Sequence, residues 1–139
     1  HNYNARISKP LLDRIDINVE VRKVEYSELF GGKKGSSSSE MRARVLEAQS
    51  VQRNRYRDEK IRFNSGLDTK LCESYVKLGR EEREFMEYSF SRLQMSARGS
   101  IRVLRIARTI ADLDGDENVG VKHLKEAVFF RNADVQEGL

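Results

Sequence analysis

The chain has 139 residues, of which 38% are hydrophobic and 35% charged, a balance that suits one compact domain with a modest core and long helices. A single cysteine, Cys72, excludes an internal disulfide and makes a cysteine-based metal cluster implausible, and it fits a reduced, cytoplasmic setting. The net charge of +4 permits contact with nucleic acid without requiring it, and no apolar run approaches the roughly 18 residues of a membrane span.

The first predicted element is a strand over residues 15–24. Ile15, Ile17, Val19 and Val21 alternate with polar residues, which is the period-two pattern of a half-buried strand. It is the only convincing strand in the sequence, and a lone strand cannot pair its own backbone groups. We therefore expect it to belong to the sheet of a preceding domain. The lack of an initiator methionine likewise predicts a piece of a longer protein.

A Gly- and Ser-rich stretch at residues 31–39 predicts a flexible linker. Ser38 or Ser39 is suited to cap a helix that has Glu40 in its first turn and runs to about Tyr56. The predicted basic face of this helix comprises Arg42, Arg44, Arg53, Arg55 and Arg57. We expect that face to be solvated or to meet a neighbouring subunit, with DNA phosphates as the alternative.

Four further helices are predicted, over approximately residues 71–76, 85–93, 96–113 and 121–130. Ser96 is the expected N-cap of the third, which is closed by a polar turn at residues 114–116. The predicted apolar face of this helix comprises Ile101, Leu104, Ala107, Ile110 and Ala111. The sequence thus predicts a mainly α-helical fold. A bundle of about five helices follows one strand of an α/β core that the chain does not contain.

Two loops resemble ion or phosphate sites but lack residues that such sites need. Residues 31–36 (GGKKGS) do not place a glycine, a lysine and a serine or threonine next to one another, as a phosphate-binding loop requires. In residues 112–118, Glu117 stands where a calcium loop has its glycine, and His123 where it has its last glutamate. We interpret this segment as a helix C-terminus with a polar turn, expect His123 on the helix surface, and predict no metal site.

Two arginines occupy positions that suggest contact with phosphate. Arg14 directly precedes the predicted strand, where a guanidinium held by apolar neighbours suits phosphate oxygens. A salt bridge with Asp13 or Asp16 is an equal alternative. Arg98 lies in the first turn of its helix, where the helix dipole disfavours a cation, and such a placement against a local preference hints at function.

Three blocks of the sequence resemble magnesium-chelatase-like AAA+ proteins of the ComM/YifB family. They are residues 6–21 (RISKPLLDRIDINVEV), residues 93–98 with 102–113 (LQMSAR and RVLRIARTIADL) and residues 123–127 (HLKEA). The blocks keep the order of the family, and Lys9 and Asn18 depart from its glycine and histidine. The resemblance implies the end of an AAA+ core with the arginine-finger segment at residues 1–30, the linker at 31–39 and a C-terminal helical lid at 40–139.

The resemblance also implies a function. The parent is expected to be an ATPase that uses ATP and Mg²⁺, with its Walker motifs upstream, so the chain alone is expected to bind neither and to be inactive. Arg14 matches the arginine finger, which reaches the ATP of a neighbouring subunit, and Arg98 matches sensor 2, acting on its own or on a neighbour's ATP. The residues expected to contact DNA or a neighbouring subunit are Arg42, Arg44 and Arg53.

Members of the ComM type are associated with DNA as hexameric helicases that drive branch migration. The expected partners are therefore the other subunits of a homo-oligomeric ring, and DNA, without a membrane. Two alternatives stay open. One is a subunit of a metal-chelatase-type ATPase, and the other is a stand-alone helical module that binds DNA or another protein.

Overall fold

The computed structural model describes residues 14–19, 21, 23 and 35–131, and within these ranges it forms five α-helices and one 3₁₀ turn. The helices are α1 (Ser38–Arg55), α2 (Thr69–Tyr75), α3 (Arg80–Arg92), α4 (Ala97–Asp114) and α5 (Val121–Arg131), and the 3₁₀ turn (Asn64–Gly66) lies between α1 and α2. The predicted mainly helical fold is confirmed. None of the described helices is long and apolar enough to cross a membrane.

Some of the sequence predictions fall outside the described residues. They concern residues 1–13, which include Lys9 and Asp13, and residues 31–34 of the predicted linker. Of the predicted strand, only residues 15–19, 21 and 23 are described, and these carry no strand. The strand at 15–24 and the sheet that it would join therefore stay predictions.

Serine caps determine where α1 and α4 begin. Ser37 caps α1, one residue earlier than predicted: its hydroxyl accepts a hydrogen bond from the Glu40 N–H at 3.3 Å, and its own N–H donates to the Glu40 carboxylate at 2.7 Å. This backbone hydrogen bond from Ser37 is the main reason that the pKa of Glu40 lies below its ordinary value. Ser96 caps α4 as predicted, with its hydroxyl accepting from the Gly99 N–H at 3.1 Å.

Helix α4 is the centre of the bundle and packs against α1, α2, α5 and the 3₁₀ turn. Its inward face consists of residues that follow one another at helical spacing, namely Val103, Ala107, Ile110 and Ala111. They meet the buried residues of α5, namely Leu124, Ala127 and Val128. The α4 helix ends at Gly115, whose φ of 75° is a left-handed conformation that glycine adopts without steric cost.

His123 is buried, which contradicts its predicted position on the helix surface. Its side chain is 2% exposed, its Nδ1 accepts a hydrogen bond from the Gly120 N–H at 2.9 Å, and its Nε2 lies 3.1 Å from Asp116 Oδ2. Because Nδ1 is an acceptor, the neutral ring carries its proton on Nε2 and donates it to Asp116. The imidazole thus closes the loop between α4 and α5. Its spacing of four residues from the inward Ala127 is the signal that sequence reasoning missed.

Candidate nucleotide-contacting surface

A buried polar network occupies much of the RVLRIARTIADL block. At its centre, the Asp112 carboxylate accepts hydrogen bonds from Arg55 Nη1 at 3.0 Å and from Asn64 Nδ2 at 2.9 Å. Arg55 Nη2 and Arg108 both contact its other oxygen, with Arg108 Nη2 at 3.0 Å. The Asp112 side chain has no exposed surface. One carboxylate therefore connects α1, the 3₁₀ turn and α4.

The groups around Asp112 keep this carboxylate ionised. Burial raises its pKa, but hydrogen bonds from Arg55 and Asn64 and the positive charges of Arg108 and Arg55 outweigh burial, so that the pKa lies below its ordinary value. Burial lowers the pKa of the Arg108 guanidinium. Arg108 is held nonetheless, because it also donates to the carbonyl oxygens of Asp116 at 2.7 Å and of Glu117 at 2.8 Å.

Two further polar residues of the block connect elements of the lid. Arg105 donates from Nε to the Leu67 carbonyl oxygen at 2.6 Å, and its Nη2 donates to the same oxygen. The Thr109 hydroxyl accepts from Asn64 Nδ2 at 2.9 Å and donates to the Arg105 carbonyl at 2.8 Å. With Arg108 and Asp112, these residues hold the fold together, and none of the four is a candidate for nucleotide contact.

Arg98 lies outside this network, in the exposed first turn of α4. Its side chain makes no hydrogen bond or ion pair with any residue in the described ranges. Its guanidinium and the backbone N–H groups of this turn are donors at the positive end of the helix dipole, a combination that suits an anionic group. The position is compatible with the predicted sensor-2 role, which stays a prediction.

The N-terminal segment contacts the bundle where α4 begins and α5 ends. Asp16 Oδ1 lies 3.0 Å from Arg102 Nε on α4. The Asn18 N–H donates to the Phe130 carbonyl oxygen at 2.6 Å, and the Asn18 side-chain amide donates to the Arg131 carbonyl oxygen at 3.2 Å. We call these five residues the segment–lid junction. Asn18, the position that departs from the family's histidine, is thus a contact residue that sequence reasoning did not identify.

Arg14 is exposed and lies two residues before the junction. The alternative salt bridge with Asp16 is not formed, because Asp16 pairs with Arg102 instead. Arg14 itself has no ion pair or hydrogen bond within the described part of the chain. Since Arg98 and Arg102 are one helical turn apart, the junction brings the chain near Arg14 to the end of α4 that carries Arg98. The two predicted nucleotide contacts therefore belong to one end of the lid.

The arginines predicted to form one basic face on α1 have different surroundings. Arg42, Arg44 and Arg53 are exposed. At about 100° per residue, Arg42 and Arg53 lie on one side of the helix and Arg44 on nearly the opposite side. Arg55 turns inward to the buried network, and Arg57 lies beyond the helix end in a surface ion pair. The prediction of a single basic face is therefore wrong, and an aligned pair, Arg42 and Arg53, takes its place.

Most of α1 projects from the bundle. Ala48 and Gln52 are its only buried residues, and residues 38–47 are all exposed. Met41 and Val45, which share the helical spacing of the buried positions, are 53% and 48% exposed. The N-terminal half of α1 is thus available to a partner molecule.

Asp114, Asp116 and His123 form a small cluster at the end of α4, where a lysine already offsets part of the negative charge. Their ligand atoms lie within 4.8 Å of one another. Lys122 Nζ lies 2.7 Å from Asp116 Oδ2 and 3.4 Å from Asp114 Oδ2, where it takes the place of a cation between the carboxylates. The hydrogen bond with Lys122 lowers the pKa of Asp116 and raises that of Lys122. We assign the cluster to closure of the α4–α5 loop.

An open depression of about 520 Å³ lies beside this cluster, between the α2–α3 loop and the α4–α5 loop. Its walls include Leu78, Glu82 and Val119. Neither Arg14 nor Arg98 lines it, so the depression is separate from the predicted nucleotide contacts.

Comparison with known proteins places the chain in a family. Residues 35–131 match the family described as magnesium chelatase, subunit ChlI C-terminal, and residues 1–29 match magnesium chelatase, subunit ChlI. The chain is similar to competence protein ComM of Haemophilus influenzae, with 34% identity over 130 residues that cover 93% of this chain and 25% of that protein. It is also similar to the uncharacterized proteins YifB of Salmonella typhimurium and Escherichia coli, with 33% identity over 133 residues that cover 95% of this chain and 26% of each relative.

The chain thus spans about a quarter of the length of these curated relatives. The helical lid and the segment before it fall within the two matched ranges, in the same order. The chain therefore belongs to the magnesium-chelatase-like, ChlI/ComM-type family of AAA+ proteins.

Proposed function

We propose that this chain is part of an AAA+ ATPase that couples ATP hydrolysis to the remodelling of DNA in a homo-oligomeric ring. In this proposal Arg14 is the arginine finger and Arg98 is sensor 2. One observation supports it above all: the two exposed arginines, which pair with no described residue, belong to the same end of the lid in a chain of this family.

Both guanidinium groups fit the phosphates of a nucleotide. Each presents a planar set of N–H donors that is not already engaged by a described carboxylate. Phosphoryl transfer spreads negative charge over the oxygens of the transferred group, and a fixed cation beside them lowers the barrier. ATP and Mg²⁺ would be held by a core outside this chain. An arginine offered by a neighbouring subunit makes hydrolysis depend on assembly of the ring.

DNA is the substrate that we propose for this motor. The similar protein ComM is named a competence protein, and the ComM type is the one that the sequence blocks resemble. Helix α1 also projects an exposed, aligned pair of arginines, Arg42 and Arg53, that suits two phosphates of a nucleic acid backbone. Arg44 faces the other way and is a candidate for contact with a neighbouring subunit.

The ATPase rate of the full-length protein, measured with and without DNA, tests the proposal. We expect hydrolysis that DNA stimulates. Hydrolysis that is indifferent to DNA would support the ATPase part of the proposal but not the DNA substrate. It would favour the metal-chelatase type, which the name of the matched family also suggests. A protein without any ATP hydrolysis under either condition would contradict the proposal and leave a binding module.

The aligned arginines of α1 give a second test. We expect the double substitution Arg42→Glu and Arg53→Glu to weaken DNA binding and to reduce its dependence on salt. Each phosphate contact that is removed lowers the slope of log K against log salt by about 0.9 for duplex DNA, because fewer counterions are released. A titration of labelled DNA at several salt concentrations measures the slope.

The matched control is a double charge reversal on α3, Arg83→Glu and Arg92→Glu, since both residues are also exposed. The control changes the net charge equally but not the proposed contact. If the α1 and α3 variants bind DNA alike, the aligned pair does not contact DNA. A defect of ring assembly in the α1 variant alone would then assign α1 to the inter-subunit surface.

A further inference from the structure

The segment–lid junction uses one side of the N-terminal segment and leaves its other side open. Asp16 and Asn18 contact the lid. The apolar residues that alternate with them, Ile15, Ile17 and Val19, are 36%, 52% and 65% exposed. The polar side of the segment therefore contacts the lid, while the apolar side is available to join a sheet, as the period-two pattern predicts. Both attachments can exist at the same time.

The junction joins a largely buried group of the lid to an exposed group of the segment. With the segment in place, the Arg102 side chain is only 15% exposed, whereas its partner Asp16 is 59% exposed. The last carbonyl groups of a helix have no partner within the helix. Those of Phe130 and Arg131 at the end of α5 receive hydrogen bonds from Asn18. The lid thus gains a cap for α5 when the segment is in place.

The first turn of α4 belongs to the same assembly. A side chain at Gly99 would have its Cβ 3.1 Å from Arg131 Nη2, so the absence of a side chain lets the Arg131 guanidinium lie against this turn. Gly99 follows Arg98 directly, and Arg131 accepts the hydrogen bond from Asn18 through its carbonyl oxygen. A continuous set of contacts therefore runs from the segment that carries Arg14 to the turn that carries Arg98.

We propose that Arg102 and Asn18 are positioning residues that tie the arginine-finger segment to the lid, so that Arg14 and Arg98 move as one unit. This inference rests on the proposed roles of Arg14 and Arg98. Neither positioning residue needs to touch the nucleotide: Arg102 acts through Asp16, and Asn18 acts through the end of α5. If the lid moves when Arg98 contacts a nucleotide, the arginine finger that the same subunit offers to its neighbour would then move with it.

Hydrogen exchange of the 139-residue chain tests the tie without any ATP. The Asn18 N–H, which donates to Phe130, is expected to exchange faster in Arg102→Gln and in Asp16→Asn than in the wild type. The amides of the central part of α4 should keep their protection, which separates release of the segment from unfolding of the lid. Arg83→Gln, an exposed arginine of α3, is the control. Unchanged exchange of the Asn18 N–H in both variants would overturn the inference.

ATP hydrolysis by the full-length protein tests the consequence. A misplacement of about 1 Å can cost roughly 10²-fold in rate. We therefore expect Arg102→Gln and Asp16→Asn to lower kcat by as much as about 10²-fold with an unchanged KM for ATP. Exchanging the two charges, in the double variant Asp16→Arg and Arg102→Asp, should recover a large part of kcat, which a merely structural defect would not.

The two tests separate this inference from the proposed function. If the wild-type protein hydrolyses no ATP, the proposed function fails, whereas the exchange experiment still decides whether the segment is tied to the lid. If the Asn18 N–H exchanges faster in both single variants and kcat is nevertheless unchanged, the finger does not depend on the junction, and the inference fails while the proposed ATPase stands.

Discussion

Replacing Arg14 with alanine in the full-length protein is expected to lower the rate of ATP hydrolysis by about 10³–10⁵-fold while nucleotide binding stays largely intact. The reason is that a finger contributes mainly when negative charge develops on the transferred phosphoryl group, and much less to the bound ground state. The exposed side chain of Arg14 supports few contacts of the fold, so its removal should leave the lid folded. Steady-state ATPase assays beside a nucleotide-binding titration measure the two effects separately.

Mixed rings provide the sharpest control for Arg14. Subunits with Arg14→Ala keep their own ATP site, whereas subunits that have Arg14 but cannot bind ATP keep only the finger. If the finger acts on the neighbour, mixing the two inactive proteins should restore part of the activity. Arg83→Ala, on the exposed face of α3, should hydrolyse ATP like the wild type. Full turnover by Arg14→Ala alone would contradict the finger assignment.

Local signals allowed the helical fold to be predicted from sequence. Ser96 before α4 and the polar turn after α4 act through short-range hydrogen bonds and backbone conformation, which depend on neighbouring residues alone. The helical spacing of the apolar residues in α4 likewise indicates a helix with one inward face. Even so, the cap of α1 was misplaced by one residue, because four serines in a row offer equivalent hydroxyl groups and only the pairing with Glu40 selects Ser37.

Contacts between distant parts of the chain could not be predicted in the same way. Asn64 lies in a short turn between two helices, yet it is 1% exposed and donates to Asp112, which lies 48 positions away. Arg98, Arg105 and Arg108 are chemically alike, and their different roles depend on which side of α4 is covered by α1 and the loops. The partner of Asp16 was equally undetermined, because Arg102 becomes its neighbour only when the segment meets the lid.

Replacing Asp112 with alanine is expected to lower the free energy of unfolding by about 3–5 kcal/mol, the cost of removing one partner from a buried ion pair. The substitution would leave Arg108, whose side chain is 3% exposed, and Arg55, at 18%, without their shared carboxylate. Domains are typically stable by about 5–15 kcal/mol, so a large part of the stability would be lost. Chemical denaturation followed by circular dichroism measures the change. Asp58→Ala is the control, because Asp58 is 87% exposed and pairs with an exposed arginine. The free energy of unfolding of this variant should stay that of the wild type.

The same substitution should change how stability depends on pH. Because the pKa of Asp112 in the folded chain lies below the ordinary value of 3.8, its stabilising effect is fully present above that pH. As the pH falls below this value, the unfolded chain takes up the proton first, and the contribution of Asp112 is lost progressively until the pH passes the lower pKa of the folded state. The wild type should therefore lose stability more steeply in this range than Asp112→Ala does. Parallel slopes for the two proteins would mean that the Asp112 network is not the acid-sensitive element of the lid.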